Sequence, residues 1–349
     1  MGKTGKIIWR SSSNIALVKY WGKRNDQIPA NPSVSMSLTK CFTETAIEYF
    51  QESNLSGPSF SFLFEGKQNE RFAENLKRYI SAVQQAYPQI ADLHLNIESK
   101  NSFPYSAGIA SSASSFSSFA LCLSSILHEL SGRKEDEHTF SRRASSLARL
   151  GSGSACRSVY EGWTMWGRLK GVTGSSDNYA IPVNGMIHEK FRIYYDAILI
   201  VDSGKKSVSS TSGHEMMKTN PYNKVRAVTG KSNALNLLNA LKEGNEDVLC
   251  RIVESEAAGL HAMMLTSDPG FILVKPETLQ IINKLADYRK SRGLVFSITL
   301  DAGPNIHLLY PEKSREKILS FISSELVQHC ENGRWIDDII GGRPQQINT

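Results

Sequence analysis

The amino-acid sequence predicts an α+β protein of two lobes, and two observations support that prediction. The chain has 349 residues, more than the roughly 250–300 residues at which one hydrophobic core usually stops growing. Strand-like segments stand early and late in the chain, with helical segments between them. We place the boundary so that the lobes span residues 1–188 and 189–349.

Periodicity indicates the elements of the first lobe. Apolar residues alternate with polar ones in the strand-like segments and recur at helical spacing in the others. The run 111–125 is rich in serine, but apolar residues recur in it at helical spacing, which favours a packed helix over a flexible linker. Strands are predicted at 42–50, 60–66 and 93–99, and helices at 70–86, from this run to about 130, and at 136–148.

The second lobe is predicted to begin with a buried strand. Residues 194–202, YYDAILIVD, are apolar and β-branched enough to lie inside a sheet. The chain is then mostly helical to about residue 290. Residues 294–310 predict two strands around the turn DAGPN, and a last helix is predicted at 313–327.

Composition and spacing exclude several classes of protein. The five cysteines are scattered and form no CxxC pair, which predicts reduced thiols in the cytoplasm rather than a disulfide framework or a zinc site. The net charge of +6 is dispersed, so it does not indicate a nucleic-acid-binding protein. The sequence contains no run of eighteen apolar residues, so no membrane span is predicted. A modest positive charge suits a small anionic substrate.

The segment PYSAGIASSASSF (104–116) is a candidate phosphate loop. Gly108 and other small residues stand between a predicted strand and a predicted helix, where the backbone could approach a polyanion. The first turn of the helix would add free N–H groups. A serine-capped helix packed closely against its neighbour explains the same residues equally well.

A second candidate anion site is GSGSACRS (151–158). Gly151 and Gly153 permit tight backbone geometry, and Ser152 and Ser154 present hydroxyl groups. Arg157 offers a planar fork for a carboxylate or a phosphate. The alternative is a glycine-rich surface turn with a solvated arginine, but five small residues leading to an arginine favour the anion site.

Three further segments have ordinary explanations that are at least as good. Lys19 and Lys23 stand beside Tyr20 in NIALVKYWGKRND, which could line a polyphosphate pocket or end a strand in solvent. Asp301 ends an apolar strand, where it could be a catalytic base or an ordinary turn residue. The segment 207–216 could bind an anion or simply cap a helix.

Taken together and in this order, these segments resemble the diphosphomevalonate decarboxylase family of the GHMP kinase superfamily. The similar segments span residues 14 to about 305, and the combination of KYWGKR with GSGSACRS is specific to this branch of the superfamily. The matching segments are NIALVKYWGKR (14–24), PYSAGIASSASS (104–115), GSGSACRS (151–158), Ser209 to Thr211, LHAMMLTSDP (260–269) and DAGPN (301–305).

The resemblance implies a GHMP kinase-like fold with the active cleft between the lobes. It also implies a reaction of (R)-5-diphosphomevalonate with ATP and Mg²⁺. The tertiary 3-hydroxyl is phosphorylated, and phosphate and CO₂ are then lost to give isopentenyl diphosphate and ADP. The expected partners are small molecules and, as in many members of the superfamily, a second copy of the chain.

The resemblance also implies roles for individual residues. Asp301 should face the 3-hydroxyl, and Arg157 should hold the C1 carboxylate. Lys19 should balance the negative charge of Asp301. The remaining roles fall on two groups. The substrate diphosphate is expected at Tyr20, Lys23, Ser152, Ser154, Ser209 and Ser210. The ATP phosphates are expected at Ala107, Gly108, Ala110, Ser111 and Ser112. Mg²⁺ is expected to be held through ATP, and Ser112 is its one candidate protein ligand.

One departure from the family pattern bears on the substrate. Gly213-His214-Glu215-Met216 carries extra residues before the methionine. The alternatives within the superfamily are a mevalonate 3-kinase and a decarboxylase of monophosphorylated mevalonate. An inactive regulatory homologue is the alternative outside enzymes, and loss of Asp301 or Arg157 would have indicated it.

Overall fold

Two β-sheets with helices packed on them form the framework of the protein. The computed structural model describes residues 2–24, 27–52, 57, 59–104, 109–204 and 210–348. In chain order the strands and helices are β1 (Thr4–Val18), β2 (Ser33–Gln51), β3 (Ser59–Phe64), α1 (Glu70–Ala86), β4 (Leu93–Asn101), α2 (Ser111–Ser131), α3 (Glu137–Gly151), β5 (Trp163–Trp166), β6 (Ala180–Pro182), β7 (Tyr194–Leu199), α4 (Ser210–Met216), α5 (Asn223–Glu243), α6 (Glu246–Leu265), α7 (Pro276–Arg292), β8 (Ser297–Thr299), β9 (Ile306–Pro311), α8 (Arg315–Phe321), β10 (Trp335–Ile339) and β11 (Gln345–Gln346).

The first sheet has the strand order β11-β1-β2-β4-β3, with β5 added to β2 and β6 to β5. The pair β3 and β4 is parallel, and the other pairs are antiparallel. Buried and half-buried residues alternate along the second half of β2, so one face of the sheet covers the core.

Serines of α2 bind this sheet. The hydroxyl of Ser114 lies 2.6 Å from that of Thr43, and the hydroxyls of Ser118 and Thr45 are also 2.6 Å apart. Each serine thus satisfies a buried polar group of a strand, which explains how a serine-rich helix packs in the interior.

The second sheet is antiparallel, with the order β10-β7-β9-β8. One hydrophobic cluster spans both sheets. It contains Ile15 and Met36 from the first sheet, Ile198 from the second, and Leu237 and Leu241 from α5. The division of the chain at 188/189 stays a prediction; the last strand, β11, returns to pair with β1.

Most predicted elements of the first lobe are confirmed, and the helix at 70–86 matches α1 to the residue. The final helix predicted at 313–327 is confirmed as helical, but it is an α-helix only over Arg315–Phe321 and then becomes a π-helix and a 3₁₀-helix. Most of the candidate anion segment GSGSACRS (151–158) is neither an extended loop nor a surface turn, because Gly153–Val159 form a largely buried 3₁₀-helix. Strands β5, β6, β10 and β11 were not predicted, since strands this short leave a weak periodic signal. The long strand β1 was also not assigned, because its second half is buried throughout and does not alternate.

Candidate active site

The centre of the candidate site is an ion pair between Lys19 and Asp301. Lys19 directly follows β1, and Asp301 follows β8, so the two sheets bring together residues 282 positions apart. Lys19 Nζ lies 2.9 Å from Asp301 Oδ1. The lysine side chain is 2% exposed and the aspartate side chain 26%, so the carboxylate is the partner that a ligand can reach.

Arg157 is buried beside this pair and is held by uncharged oxygens. Its guanidinium donates to Ser33 Oγ at 2.7 Å, to Ser35 Oγ at 3.0 Å and to Asn14 Oδ1 at 3.2 and 3.3 Å. Burial lowers the pKa of Arg157, and the nearby charge of Asp301 opposes that shift. A buried cation held by neutral groups is ready to accept an anion.

A second ion pair, which no sequence motif indicated, fixes the backbone of Lys19. Glu256 accepts from Arg226 at 2.7 and 2.8 Å, from the Lys19 N–H at 2.8 Å and from Asn233 at 2.6 Å. Arg226 also donates to the Lys19 carbonyl at 2.7 Å, and Asn31 donates to it at 3.1 Å. Helices α5 and α6 therefore position the lysine that faces Asp301.

Two sequence signals mark Glu256 and α5 as unusual, although neither shows that they meet Lys19. Glu256 is 2% exposed and stands three residues after buried Val253 and four before buried Leu260, which places a carboxylate on the apolar face of a helix. Gly230 lies inside α5, where a Cβ atom would come within 2.7 Å of the Asn31 side chain. Glycine at that position lets the helix approach the residue that binds Lys19.

We expect Glu256→Gln to lower the free energy of unfolding by about 3 kcal/mol, because it leaves the buried Arg226 without its charge partner. Chemical denaturation measures this loss. Glu316→Gln, on the exposed surface of α8, is the matched control and should change stability little. Equal stability of the two variants would contradict the structural role assigned to Glu256.

The ring of His214 packs between Tyr20 and Trp21. The ring centroids lie 4.3 Å from Tyr20 and 4.9 Å from Trp21, and His214 Nδ1 accepts from the Gly22 N–H at 3.0 Å. Gly153 lies under Tyr20, where a Cβ atom would meet the Tyr20 ring at 2.8 Å. The residue that departs from the family pattern thus joins α4 to the KYWGKR segment.

His214 should make stability depend on pH. Burial lowers the pKa of His214 to about 3, whereas an unfolded histidine titrates near 6.5. Below pH 6.5 the unfolded chain therefore binds a proton that the folded protein does not, and stability falls as pH drops toward 3. We expect a loss of about 1.4 kcal/mol per pH unit between pH 6 and pH 4 from this residue.

Denaturation at pH 7, 6, 5 and 4 measures the slope, and His214→Asn should reduce it. His138→Asn, at an exposed histidine of α3, should leave the slope unchanged. His261 contributes in the same direction, because burial lowers its pKa to about 4; its Nε2 lies 3.1 Å from the Asp301 carbonyl oxygen. An identical slope in His214→Asn would show that this ring is not buried as described.

Lys23 faces a carboxylate. Its Nζ lies 3.6 Å from Glu215 Oε1, and Lys218 Nζ lies 2.5 Å from Glu215 Oε2. The Lys23 side chain is 16% exposed and that of Glu215 is 48% exposed. The lysine that was predicted to bind phosphate therefore already interacts with a carboxylate.

The hydroxyls of the two predicted anion loops meet at the start of α2. Ser152 Oγ lies 3.4 Å from Ser112 Oγ and 3.2 Å from Ser154 Oγ. Ser112 is exposed and Ser111 half-buried, and Ala110 precedes them with a φ of 47°. The two segments thus form one hydroxyl-lined surface at a helix N-terminus, where anions are favoured.

Some predicted site residues cannot be placed. Ala107, Gly108 and Ser209 lie outside the described residues. Ser210 is the first residue of α4, but the structure does not describe its side chain. Within the described ranges, no group of three or more histidine, cysteine, aspartate or glutamate side chains is placed to hold a metal ion. In the same ranges, no helix is long and apolar enough to span a bilayer.

Two family models match the chain in succession. The diphosphomevalonate decarboxylase-like N-terminal domain matches residues 11–180, and the mevalonate 5-diphosphate decarboxylase C-terminal domain matches residues 197–341. A diphosphomevalonate decarboxylase from Ganoderma lucidum is 29% identical over 329 residues, which cover 88% of this chain and 79% of that protein.

Solved structures give the same result. Mevalonate diphosphate decarboxylase from Staphylococcus aureus aligns with a TM-score of 0.82 and 27% identity, covering 100% of this chain and 99% of that chain. A structure described as MDDEF in complex with MVAPP, AMPPCP and magnesium aligns with a TM-score of 0.81 and 27% identity, covering 99% and 100%. These likenesses confirm the mixed α and β fold of the GHMP kinase type.

Proposed function

The chain belongs to the diphosphomevalonate decarboxylase family, and on that premise we propose that it converts (R)-5-diphosphomevalonate and ATP to isopentenyl diphosphate, ADP, phosphate and CO₂. The observation that carries the proposal is the Lys19–Asp301 pair beside Arg157. It sets a reachable carboxylate and a buried cation next to each other. A substrate with a hydroxyl group and a carboxylate two carbons apart needs that combination.

Asp301 would act on the 3-hydroxyl group. Its carboxylate accepts the hydroxyl proton while the hydroxyl oxygen attacks the γ-phosphorus of ATP, and ADP leaves with the electron pair of the broken P–O bond. Lys19, held 2.9 Å away, keeps the carboxylate in place. Its backbone is in turn fixed by Glu256 and Arg226.

Arg157 would hold the C1 carboxylate while the second stage proceeds. The C3–O bond breaks and phosphate leaves with its electrons, so positive charge develops at C3. The C1–C2 bond then breaks, its electron pair forms the C2–C3 double bond, and C1 leaves as CO₂. The negative charge of Asp301 would stabilise the developing positive charge at C3.

The hydroxyl-lined surface at the start of α2 suits the phosphates of ATP. Ser111 and Ser112 stand in the first turn of a 21-residue helix, where free N–H groups and the helix dipole favour phosphate. Ser112 is the hydroxyl oxygen in this turn that could hold Mg²⁺ together with the phosphates. The ion would neutralise phosphate charge during transfer.

The substrate diphosphate would lie at Tyr20, Lys23, Ser152 and Ser154. Glu215 opposes it, because its carboxylate competes for Lys23. We expect Glu215→Gln to lower the KM for the diphosphate substrate about two- to fivefold, the effect of an exposed charge pair, with little change in kcat. Steady-state kinetics tests this, and an unchanged or higher KM would place the diphosphate away from Lys23.

The substrate is tested by comparing mevalonate, 5-phosphomevalonate and 5-diphosphomevalonate with ATP and Mg²⁺, following ADP release. The proposal predicts the highest kcat/KM for the diphosphate. Preference for the monophosphate or for mevalonate itself would move the protein to one of the other activities of the superfamily. Turnover of none of the three would contradict an enzymatic role on these substrates.

A further inference from the structure

A cavity of about 830 Å³ lies beside the KYWGKR segment and is lined by residues from 21–24, 29–32, 168–170 and 217–231 and by Asp177. Asp301 and Arg157 are not among the described residues of its wall, whereas Lys23 is shared with the proposed diphosphate end of the substrate. Its volume falls within the range of about 300–1,000 Å³ that small-molecule sites occupy.

The wall of this cavity carries far more positive than negative charge. Asp177 is its one described carboxylate, and that side chain already accepts from Arg24 at 3.2 Å and from the Arg168 N–H at 2.7 Å. The cationic residues of the wall come from three separate stretches of the chain. They are Lys23, Arg24, Arg168, Lys170, Lys218, Lys224, Arg226 and Lys231.

Four of these cations have no counter-charge among the residues that the structure describes. Arg226 pairs with Glu256 and Lys218 with Glu215. In contrast, Arg168, Lys170, Lys224 and Lys231 form no ion pair with any described residue. Like charges that converge on a concave wall repel one another and focus a positive field into the cavity. An anion with several charges would relieve that repulsion.

We propose that this cavity binds a second small molecule bearing a di- or triphosphate group, separate from the two molecules that react. Arginine and lysine together match the geometry and charge of phosphate oxygens. The apolar part of the wall, which includes Trp21, Leu169 and Met217, would contact the organic portion of such a ligand. Because Lys23 belongs to both sites, occupancy of the cavity would change binding of the substrate diphosphate.

Isothermal titration of the protein with inorganic tripolyphosphate tests the proposal, with the substrate 5-diphosphomevalonate and the ATP analogue AMPPCP present at saturation. With both reacting positions filled, we expect one tripolyphosphate to bind per chain. The double variant Lys224→Gln/Lys231→Gln should weaken this binding at least tenfold. Lys242→Gln, on the same helix but outside the cavity wall, should leave it unchanged.

The other outcomes overturn the proposal. Binding that disappears when substrate and AMPPCP are added would assign the cavity to the reacting molecules themselves. Binding that is equally weak in all three proteins would be nonspecific attraction to a basic surface. The measurement requires no turnover, so it succeeds or fails independently of the proposed reaction. Unfolding curves of the variants establish that each is folded before titration.

Discussion

Replacing Asp301 by asparagine is expected to lower kcat about 10³-fold, within the range that a general acid–base group contributes, with the KM for the diphosphate changed only a few-fold. The amide keeps the shape of the side chain but cannot accept the hydroxyl proton. It also leaves Lys19, which is 2% exposed, without its carboxylate partner. Steady-state kinetics with the diphosphate substrate and ATP measures the effect.

The control for this variant is Asp287→Asn on the exposed face of α7, which should behave as the wild type. The loss of a buried charge partner also destabilises Asp301→Asn, so its unfolding midpoint must be shown to lie well above the assay temperature. A folded Asp301→Asn enzyme with more than a tenth of the wild-type kcat would show that Asp301 does not act in the reaction.

The second large effect is expected for Arg157→Gln. Arg157 would form a buried charge pair with the substrate carboxylate, and truncating one partner of such a pair costs about 2–5 kcal/mol, which lowers kcat/KM by roughly 30- to 5,000-fold. Arg157→Lys should restore part of the loss, since it keeps the charge but not the planar fork. Kinetics at several substrate concentrations separates weaker binding from slower reaction.

Arg133→Gln, at an exposed arginine, is the matched control for charge removal. If Arg157 holds the carboxylate that leaves as CO₂, the variants should lose CO₂ release at least as strongly as ADP release. Arg157→Gln kinetics equal to those of the control would mean that the carboxylate binds elsewhere.

The candidate catalytic residues could be predicted from the sequence because they stand in short, specific motifs. KYWGKR, GSGSACRS and DAGPN named Lys19, Arg157 and Asp301, and the fold places Asp301 beside the other two. Helix α1 was equally predictable, because its apolar residues follow one helical period and Asn69 caps its first turn. These features depend on residues that are near one another in the sequence.

The supporting residues could not be predicted in the same way. Glu256 and Arg226 act on Lys19 from more than 200 positions away, and only the fold brings them together. The contact of His214 with Tyr20 and Trp21 likewise depends on where α4 docks. The basic cavity could not be predicted because its cations come from three stretches of an otherwise mildly charged chain.

The central claim is that one active site both phosphorylates the 3-hydroxyl and releases C1. The most direct test is a single reaction of the purified protein with 1-¹⁴C-labelled 5-diphosphomevalonate, ATP and Mg²⁺, in which ADP and labelled CO₂ are counted together. We expect one CO₂ for each ADP throughout the reaction, and loss of both products in Asp301→Asn. ADP formed without CO₂ would contradict it, since the protein would then be a kinase on this scaffold.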